Sequence, residues 1–399
     1  MSRAKPLTDA FVPYGMYWSS PFCRWQGALG GENSVKLAAQ TAQRFLGQRD
    51  VSPEKFDQVS LGITVPQHRS FYGAPWLAGM IGAGHATGST ISQACATSAR
   101  AIADAALGVQ YGASESSLVI ACDRTSNGPH LYYPNPNGIG GRGETEEWVW
   151  DNFNHDPHAK NAMLDTAENV AADEGISREE QDEMVLLRHR QYEAALANDR
   201  SFQRRYLFPI ELRRGKKTMT VEEDEGVFPT SPEGLAKLRP VKEGGTVTFG
   251  GQTYPADGNA GIVVCSKERA RELQRDDVTV QILGYGQARV EPGRMPKAPV
   301  PAAERALAAA GITIGDVKAI KSHNPFAVND IYFCRQMGVS PDQMNNYGSP
   351  LIYGHPQGPT GMRVVIEMIE ELAKLGGGYG LFTGCAAGDT SMALTVKVS

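Results

Sequence analysis

No run of apolar residues in this chain approaches the ~18 that cross a bilayer, and its opening, MSRAKPLTDAFVPYG, lacks an apolar core of secretory length. A protein working in the cytoplasm, without membrane contact, is therefore expected. Cysteine is sparse: Cys23, Cys95, Cys122, Cys265, Cys334 and Cys385 lie far apart, with no Cys-x-x-Cys pair. That spacing suits neither a disulfide framework nor a structural zinc site, so reduced thiols and no metal in this chain are expected. Net charge is also small, −5 from 39 basic and 44 acidic residues, which leaves no overall field to gather nucleic acid or an anionic membrane. An anionic ligand would have to meet a local basic patch.

What the chain does have is an ordinary globular composition, 41% hydrophobic and 21% charged over 399 residues. That is enough for about two or three packed units around a large core. Its strongest pattern is an internal echo. Gln93-Ala94-Cys95-Ala96-Thr97-Ser98-Ala99-Arg100 opens an Ala-rich helix running to about 107, Gly112 stops it, and 117–122 reads as a buried strand. Near the end, Gly354-His355-Pro356-Gln357-Gly358 leads into a helix over 362–375, a glycine run covers 376–378, and 380–385 reads as the matching strand. Cys122 follows Cys95 by 27 residues, and Cys385 follows His355 by 30. A further helix and strand precede each copy, 35–46 with 59–64 and 301–310 with 317–321. Helices alternating with apolar strands predict mostly parallel sheets covered on both faces. Their repetition predicts two such halves about a pseudo-dyad, with two helix N-termini aimed at one central site.

Between the halves, from about 126 to 245, the composition changes to Asn/Pro/Gly loops, a charged helix over 178–198 and the basic run Arg213-Arg214-Gly215-Lys216-Lys217. An inserted excursion of this kind commonly shapes a ligand site on a rigid scaffold. The expected division is an N-terminal half at 1–125, completed by about 246–275, a loop domain at 126–245, and a C-terminal half at 276–399.

Cys95 lies at a helix start, where unpaired N–H groups and the macrodipole lower a thiol's pKa. A lone cysteine is more often a small buried hydrophobe, but His355 occupies the equivalent place in the second half and could serve as the base a thiol nucleophile needs. Cys385 ends a buried strand and runs into Ala386-Ala387-Gly388, small residues that let a substrate approach. His323 follows a strand and precedes a helix, so it could face a cleft at the sheet's C-terminal edge.

In order along the chain, Ser20-Pro21-Phe22 with Gly27 and Leu29, the segment around Cys95, Met163 with Thr166-Ala167-Glu168-Asn169, Arg178-Glu179-Glu180-Gln181-Asp182, Asp224-Glu225-Gly226, the stretch 233–240, Gly354-His355-Pro356 and Gly384-Cys385 resemble the motifs of the thiolase family. The resemblance implies a duplicated α-β-α-β-α fold of two mixed five-stranded layers with helices, a loop domain over the site, and a homodimer or dimer of dimers. It also implies roles. Cys95 would take the acyl group as a thioester, His355 would be the base for Cys95 and then for coenzyme A, and Cys385 would move the proton on the carbon alpha to the thioester. His323 would donate to the enolate oxygen, and the backbone N–H groups of Cys95 and Ala387 would form a second oxyanion hole. Met163, Thr253 and Phe326 would line the acyl-CoA site, and Arg213, Arg214, Lys216 and Lys217 could meet the phosphates of coenzyme A, although a solvated charged turn reads equally well.

The chain also departs from the family pattern. His323-Asn324-Pro325-Phe326 stands where Asn-Glu-Ala-Phe is usual, similar to the sterol-carrier-protein type; Cys385-Ala386-Ala387-Gly388-Asp389 replaces Cys-x-Gly-Gly-Gly; Thr248-Phe249-Gly250-Gly251-Gln252-Thr253 replaces Thr-Ala-Gly-Asn-Ala-Ser; and Leu164 replaces glycine. These changes suggest a bulky or functionalised acyl group, such as that of benzoylsuccinyl-CoA, and a possible small partner subunit with a zinc ribbon and an OB-like fold. The rival readings are a thiolase-fold aldolase or lyase acting with an OB-fold partner, a decarboxylating ketoacyl synthase, and a non-catalytic acyl-CoA-binding subunit.

Overall fold

The computed structural model describes residues 5–399. Each half is built on strands whose apolar character leaves no polar face. Ser116–Arg124 is buried along almost its whole length, as is Ala256–Cys265, which is what a strand covered on both faces requires. In the first half the strands run Thr90–Ile91, Gln58–Gly62, Ser116–Arg124, Ala256–Cys265 and Tyr17–Ser19, parallel across the first three and antiparallel thereafter. The second half repeats the arrangement with Val317–His323, Gly378–Ala386, Thr390–Val398 and Thr279–Arg289. A parallel bridge from Ile320 to Met344 stands at the place of the first half's edge strand.

The echo in the sequence is therefore a repeated topology. One detail departs from two separate layers. Phe11–Pro13 pairs with Thr279–Arg289 and, at Phe11, with Cys265, so hydrogen bonding runs continuously through one 11-stranded sheet.

Helices form three layers around these strands. Ser34–Gln48 and Ala74–Ile81 cover the outer face of the first half through Val35, Phe45 and Leu77. Pro299–Ala310 and Ala327–Met337 cover the outer face of the second through Ala303, Leu307 and Phe333. Between the layers lie Thr97–Tyr111 and Thr360–Lys374, which share one core with strands of both halves. The second of these is buried from Thr360 through Leu372. The two central helices meet at their N-terminal ends, where Ser98 Oγ accepts from Met362 N–H at 2.8 Å. A Cβ on Gly361 would come within 3.0 Å of that oxygen, so glycine permits the approach. Among the described residues, no helix is long and apolar enough to cross a membrane.

The buried helix Thr360–Lys374 carries charges that must be paired. Arg363 forms a fork onto Asp224 at 2.6 and 2.8 Å, contacts Glu367 at 3.0 Å and stacks on the Tyr353 ring at 3.7 Å. Asp224 also accepts from Phe22 N–H and Tyr192 Oη. The Asp224-Glu225-Gly226 motif thus ties the inserted segment to the central helix. In the same way Glu168 accepts from the N–H groups of Thr246 and Val247, fastening the helix Met163–Glu174 to the strand-side loop.

Candidate active site

The approach of the two central helices brings together residues 260 positions apart in sequence. The turn into the first helix is strained: Ala94 has φ +44°, a region costly for any side chain. Thr97 secures it, its hydroxyl accepting from Gln93 N–H at 2.8 Å and donating to the Ala94 carbonyl at 2.7 Å. Cys95 is thereby presented at the base of a cavity. The helix itself begins at Thr97, with Ala96 as its N-cap.

The expectation that the helix end ionises this thiol is corrected by the structure. Burial pushes the Cys95 thiol up to about 12, and the N–H groups of Ala387 and of Cys95 itself offset only part of that shift. Desolvation outweighs the partial charges of a helix terminus, so the resting group is a neutral thiol. The two N–H groups named as an oxyanion hole do converge at the sulfur.

His355 supplies what the neutral thiol needs. Its Nε2 lies 3.2 Å from Cys95 Sγ and its Nδ1 lies 2.7 Å from Thr360 Oγ1. With Nδ1–H donating to Thr360, the Nε2 lone pair faces the sulfur, the arrangement of a general base. Burial, and to a lesser extent His323, hold the His355 imidazole well below its ordinary range, so it is neutral and able to accept a proton. Its backbone is fixed as well, with His355 N–H donating to Tyr254 O at 2.9 Å.

The loop after His355 is held by a residue that sequence reasoning passed over. Asp123, at the end of Ser116–Arg124, accepts from Thr64 N–H, Val65 N–H, the Thr64 hydroxyl and Gly358 N–H, all at 2.8–2.9 Å. It is fully buried, and burial pushes its carboxyl up to about 7 against the pull of those donors. Gln357, between His355 and Gly358, has φ +64° and brings Oε1 to 3.2 Å from Cys95 Sγ, a second acceptor beside His355 Nε2 for the one thiol hydrogen.

Cys385 ends the strand Gly378–Ala386 and is buried. Asn329 Nδ2 donates to its sulfur at 3.3 Å, and burial together with the nearby Cys95 keeps its thiol well above the ordinary range. Asn329 was missed because its partner is 56 residues away, on a different element. His323 stacks on His355 with ring centroids 4.1 Å apart. Its neighbours are anchored on Asp330, which accepts from Ser322 Oγ and Asn324 Nδ2 at 2.7 Å each and pairs with buried Arg188. Both nitrogens of His323 lack a partner among the described residues, and burial alone pushes the ring down to about 3. A rigid, neutral, unpaired imidazole is a donor waiting for an oxygen.

Donor atoms of Cys95, His323 and His355 all lie within 4.8 Å of one another, a set that could hold a soft metal. The same closeness is what proton transfer between them requires. Above them opens a cavity of about 600 Å³ lined by Cys95, His355, Ala387, Met163, Thr253 and Phe326 among others. The Thr253 hydroxyl is already engaged by the Pro350 carbonyl at 2.6 Å, so this residue shapes the wall more than it offers a free donor.

The basic run does not join this cavity. Arg213 and Arg214 end the strand Ile210–Arg214, Lys217 opens Lys217–Val221, and neither they nor Lys216 contribute to the lining. Arg214 is taken by Glu32 and by the Ala28 carbonyl.

The buried imidazoles predict an acid-labile fold. A histidine whose folded pKa is depressed contributes stability that is complete above its unfolded value and is lost as pH falls below it. For His323 the window runs from about 6.5 to about 3, at about 1.4 kcal/mol per pH unit. Urea unfolding at pH 7, 6 and 5 should show a shallower loss for His323→Asn than for the parent; equal slopes would mean that His323 is charged or exposed in the fold.

Models of the thiolase N-terminal domain and the thiolase C-terminal domain match residues 18–268 and 277–398. Human mitochondrial 3-ketoacyl-CoA thiolase is 29% identical over 387 residues, covering 95% of this chain and 96% of that protein. Acetyl-CoA acetyltransferase of Chromobacterium violaceum is 30% identical over 380 residues, covering 93% and 95%. The crystal structure of the human mitochondrial 3-ketoacyl-CoA thiolase in complex with CoA superposes with a TM-score of 0.90 at 27% identity, covering all of both chains. The repeated topology, the Cys95–His355 contact at its centre and these matches lead to one conclusion: the chain belongs to the thiolase family, and is an acyltransferase of that kind.

Proposed function

We propose that the chain cleaves a 3-oxoacyl-CoA with coenzyme A, or forms it in reverse, by ping-pong transfer through Cys95. The observation that carries this is the 3.2 Å contact between Cys95 Sγ and His355 Nε2 at the floor of the cavity. His355 takes the thiol proton as sulfur attacks the 3-oxo carbon, and the oxyanion meets the N–H groups of Cys95 and Ala387. When the C2–C3 bond breaks, its electrons pass into an enolate whose oxygen accepts from His323. Cys385, kept protonated at rest by burial, gives its proton to C2, and Asn329 steadies the resulting thiolate. The proton held by His355 then returns to the Cys385 thiolate, which frees His355 to take the thiol proton of incoming coenzyme A; the coenzyme A sulfur attacks the acyl-Cys95 thioester, and the expelled Cys95 takes that proton back from His355 as the new acyl-CoA leaves.

A bulky or functionalised acyl group suits the cavity better than an acetyl group. Its size is supported by a wall of Trp148, Trp150, Phe153 and Phe249, and such aromatic faces favour large, flat or extended groups. An aryl group such as the benzoylsuccinyl moiety falls within this class. The edge strand Thr90–Ile91 and exposed Phe71 and Tyr72 support association of two copies, and a small OB-fold partner subunit remains part of the proposal. Cytoplasmic location is proposed with it. Steady-state thiolysis of short, long and aryl 3-oxoacyl-CoAs, with the protein purified from its native source together with any companion, tests the reading. Turnover highest on the bulky substrates is expected; a clear preference for acetoacetyl-CoA would refute the substrate class.

A further inference from the structure

Gln357 places a neutral amide against the nucleophile in a conformation that costs energy. Its φ of +64° lies in the left-handed region, where a side chain with a Cβ is disfavoured by about 1 kcal/mol or more. Its neighbour Gly358 is pinned by N–H donation to Asp123 at 2.8 Å, and a Cβ at Gly358 would come within 2.7 Å of that carboxylate, so the loop cannot relax by sliding. On the other side His355 is fixed through Thr360 and Tyr254. The surroundings thus over-determine where the Gln357 side chain goes, and it goes to the sulfur.

Only half of the amide is used there. Oε1 lies 3.2 Å from Cys95 Sγ, where it competes with His355 Nε2 for the one thiol hydrogen, whereas the amide's own Nε2 makes no hydrogen bond among the described residues, and Gln357 forms part of the cavity wall. Once the sulfur carries an acyl group the thiol hydrogen is gone and Oε1 loses its donor. The thioester oxygen is held by the N–H groups of Cys95 and Ala387, so the amide gains most by turning Nε2 toward a further oxygen on the acyl group; where the acyl chain offers none, desolvating the amide beside it goes uncompensated. Ser92, Asn152, Asn154 and Gln252 also line the cavity, but Gln357 is the amide held against the sulfur that carries the acyl group, so its donor is the one beside the acyl carbon.

Resting on the thiolase reading, we propose that Gln357 is a specificity-determining residue that selects acyl groups bearing a hydrogen-bond-accepting oxygen near the carbon bound to Cys95. It acts after acylation, as a donor to that oxygen, and it separates such acyl groups from plain alkyl chains of equal size.

A matched trio of substrates tests this: 3-oxoadipyl-CoA, which delivers a succinyl group; its ω-methyl ester, which delivers a neutral acceptor; and 3-oxohexanoyl-CoA, which delivers a butyryl group. The parent enzyme should show kcat/KM at least about tenfold higher for one or both oxygen-bearing substrates than for 3-oxohexanoyl-CoA. Gln357→Leu should close that gap to within about twofold by lowering the oxygen-bearing values more than the value for 3-oxohexanoyl-CoA. Equal kcat/KM across the trio in the parent enzyme, or an equal loss on all three in Gln357→Leu, would overturn the proposal while leaving thiolysis intact. Thiolysis of none of the three by a parent enzyme that turns over an aryl 3-oxoacyl-CoA would overturn the proposal alone, and turnover of no 3-oxoacyl-CoA at all would overturn the thiolase reading with it. Should Gln357→Leu fail to fold, as judged by its unfolding curve, Gln357→Glu gives the same decision: it keeps the shape, removes the donor, and should lose the preference.

Discussion

A Cys95→Ser protein should fold as the parent does and lose at least about 10³-fold in kcat, because the hydroxyl is a far weaker nucleophile than a thiol handed to an adjacent imidazole. The prediction is sharper for this site than for cysteines that rest as thiolates. Burial holds the Cys95 proton on, up to about 12, so attack depends on transfer to His355 Nε2 across 3.2 Å. Serine could occupy the same place and donate its one hydrogen to either His355 or Gln357, as the thiol does, so its melting curve should shift little. Stopped thiolysis with an unchanged melt is the expected pair of results; residual activity within tenfold of the parent would point to a different nucleophile.

The second large effect is on stability. Asp224 and Arg363 are both buried and fully paired with each other, and Arg363 stacks against Tyr353, two residues before His355. Removing one partner leaves the other as an uncompensated charge in a dry interior, so Asp224→Ala should destabilise the fold by about 3–5 kcal/mol. Glu367, at 3.0 Å, softens this only in part, because it is already shared with the hydroxyls of Tyr206 and Tyr353. Urea unfolding measures the loss directly. Replacing both charges, in Asp224→Leu with Arg363→Met, should recover only part of it, because buried Glu367 then loses its cationic partner; a single variant within 1 kcal/mol of the parent would show that water reaches this pair.

Much of the fold was legible because duplication repeats its local signals. The two helix-strand echoes became the two central helices and the strands Ser116–Arg124 and Gly378–Ala386, with boundaries shifted by a few residues where caps and fraying decide the ends. The continuous sheet was not legible, since Phe11–Pro13 is only three residues long and its partners are distant. At the site, the placing of Cys95, His355, Cys385 and His323 about one centre followed from the echo and from the family motifs. The charge state of Cys95 did not. A helix start can be read from sequence, whereas the desolvation that overrides it depends on the cavity walls that distant parts of the chain build around the sulfur.

Asp123, Asn329 and Gln357 escaped for a related reason. Each matters through a contact made across chain distance: with Gly358 for Asp123, with Cys385 for Asn329 and with Cys95 for Gln357. Gln357 alone had a visible cue, its position inside Gly354-His355-Pro356-Gln357-Gly358 beside the base. The basic run is conspicuous in sequence, and it forms a hairpin outside the lining of the cavity.

Mass spectrometry of the protein mixed with a 3-oxoacyl-CoA in the absence of free coenzyme A bears on all of this at once. The expected result is one acyl group on the peptide that contains Cys95, released when coenzyme A is added and never formed in Cys95→Ser. An unmodified protein that still turns the substrate over, or an acyl group on Cys385 with Cys95 free, would contradict the mechanism.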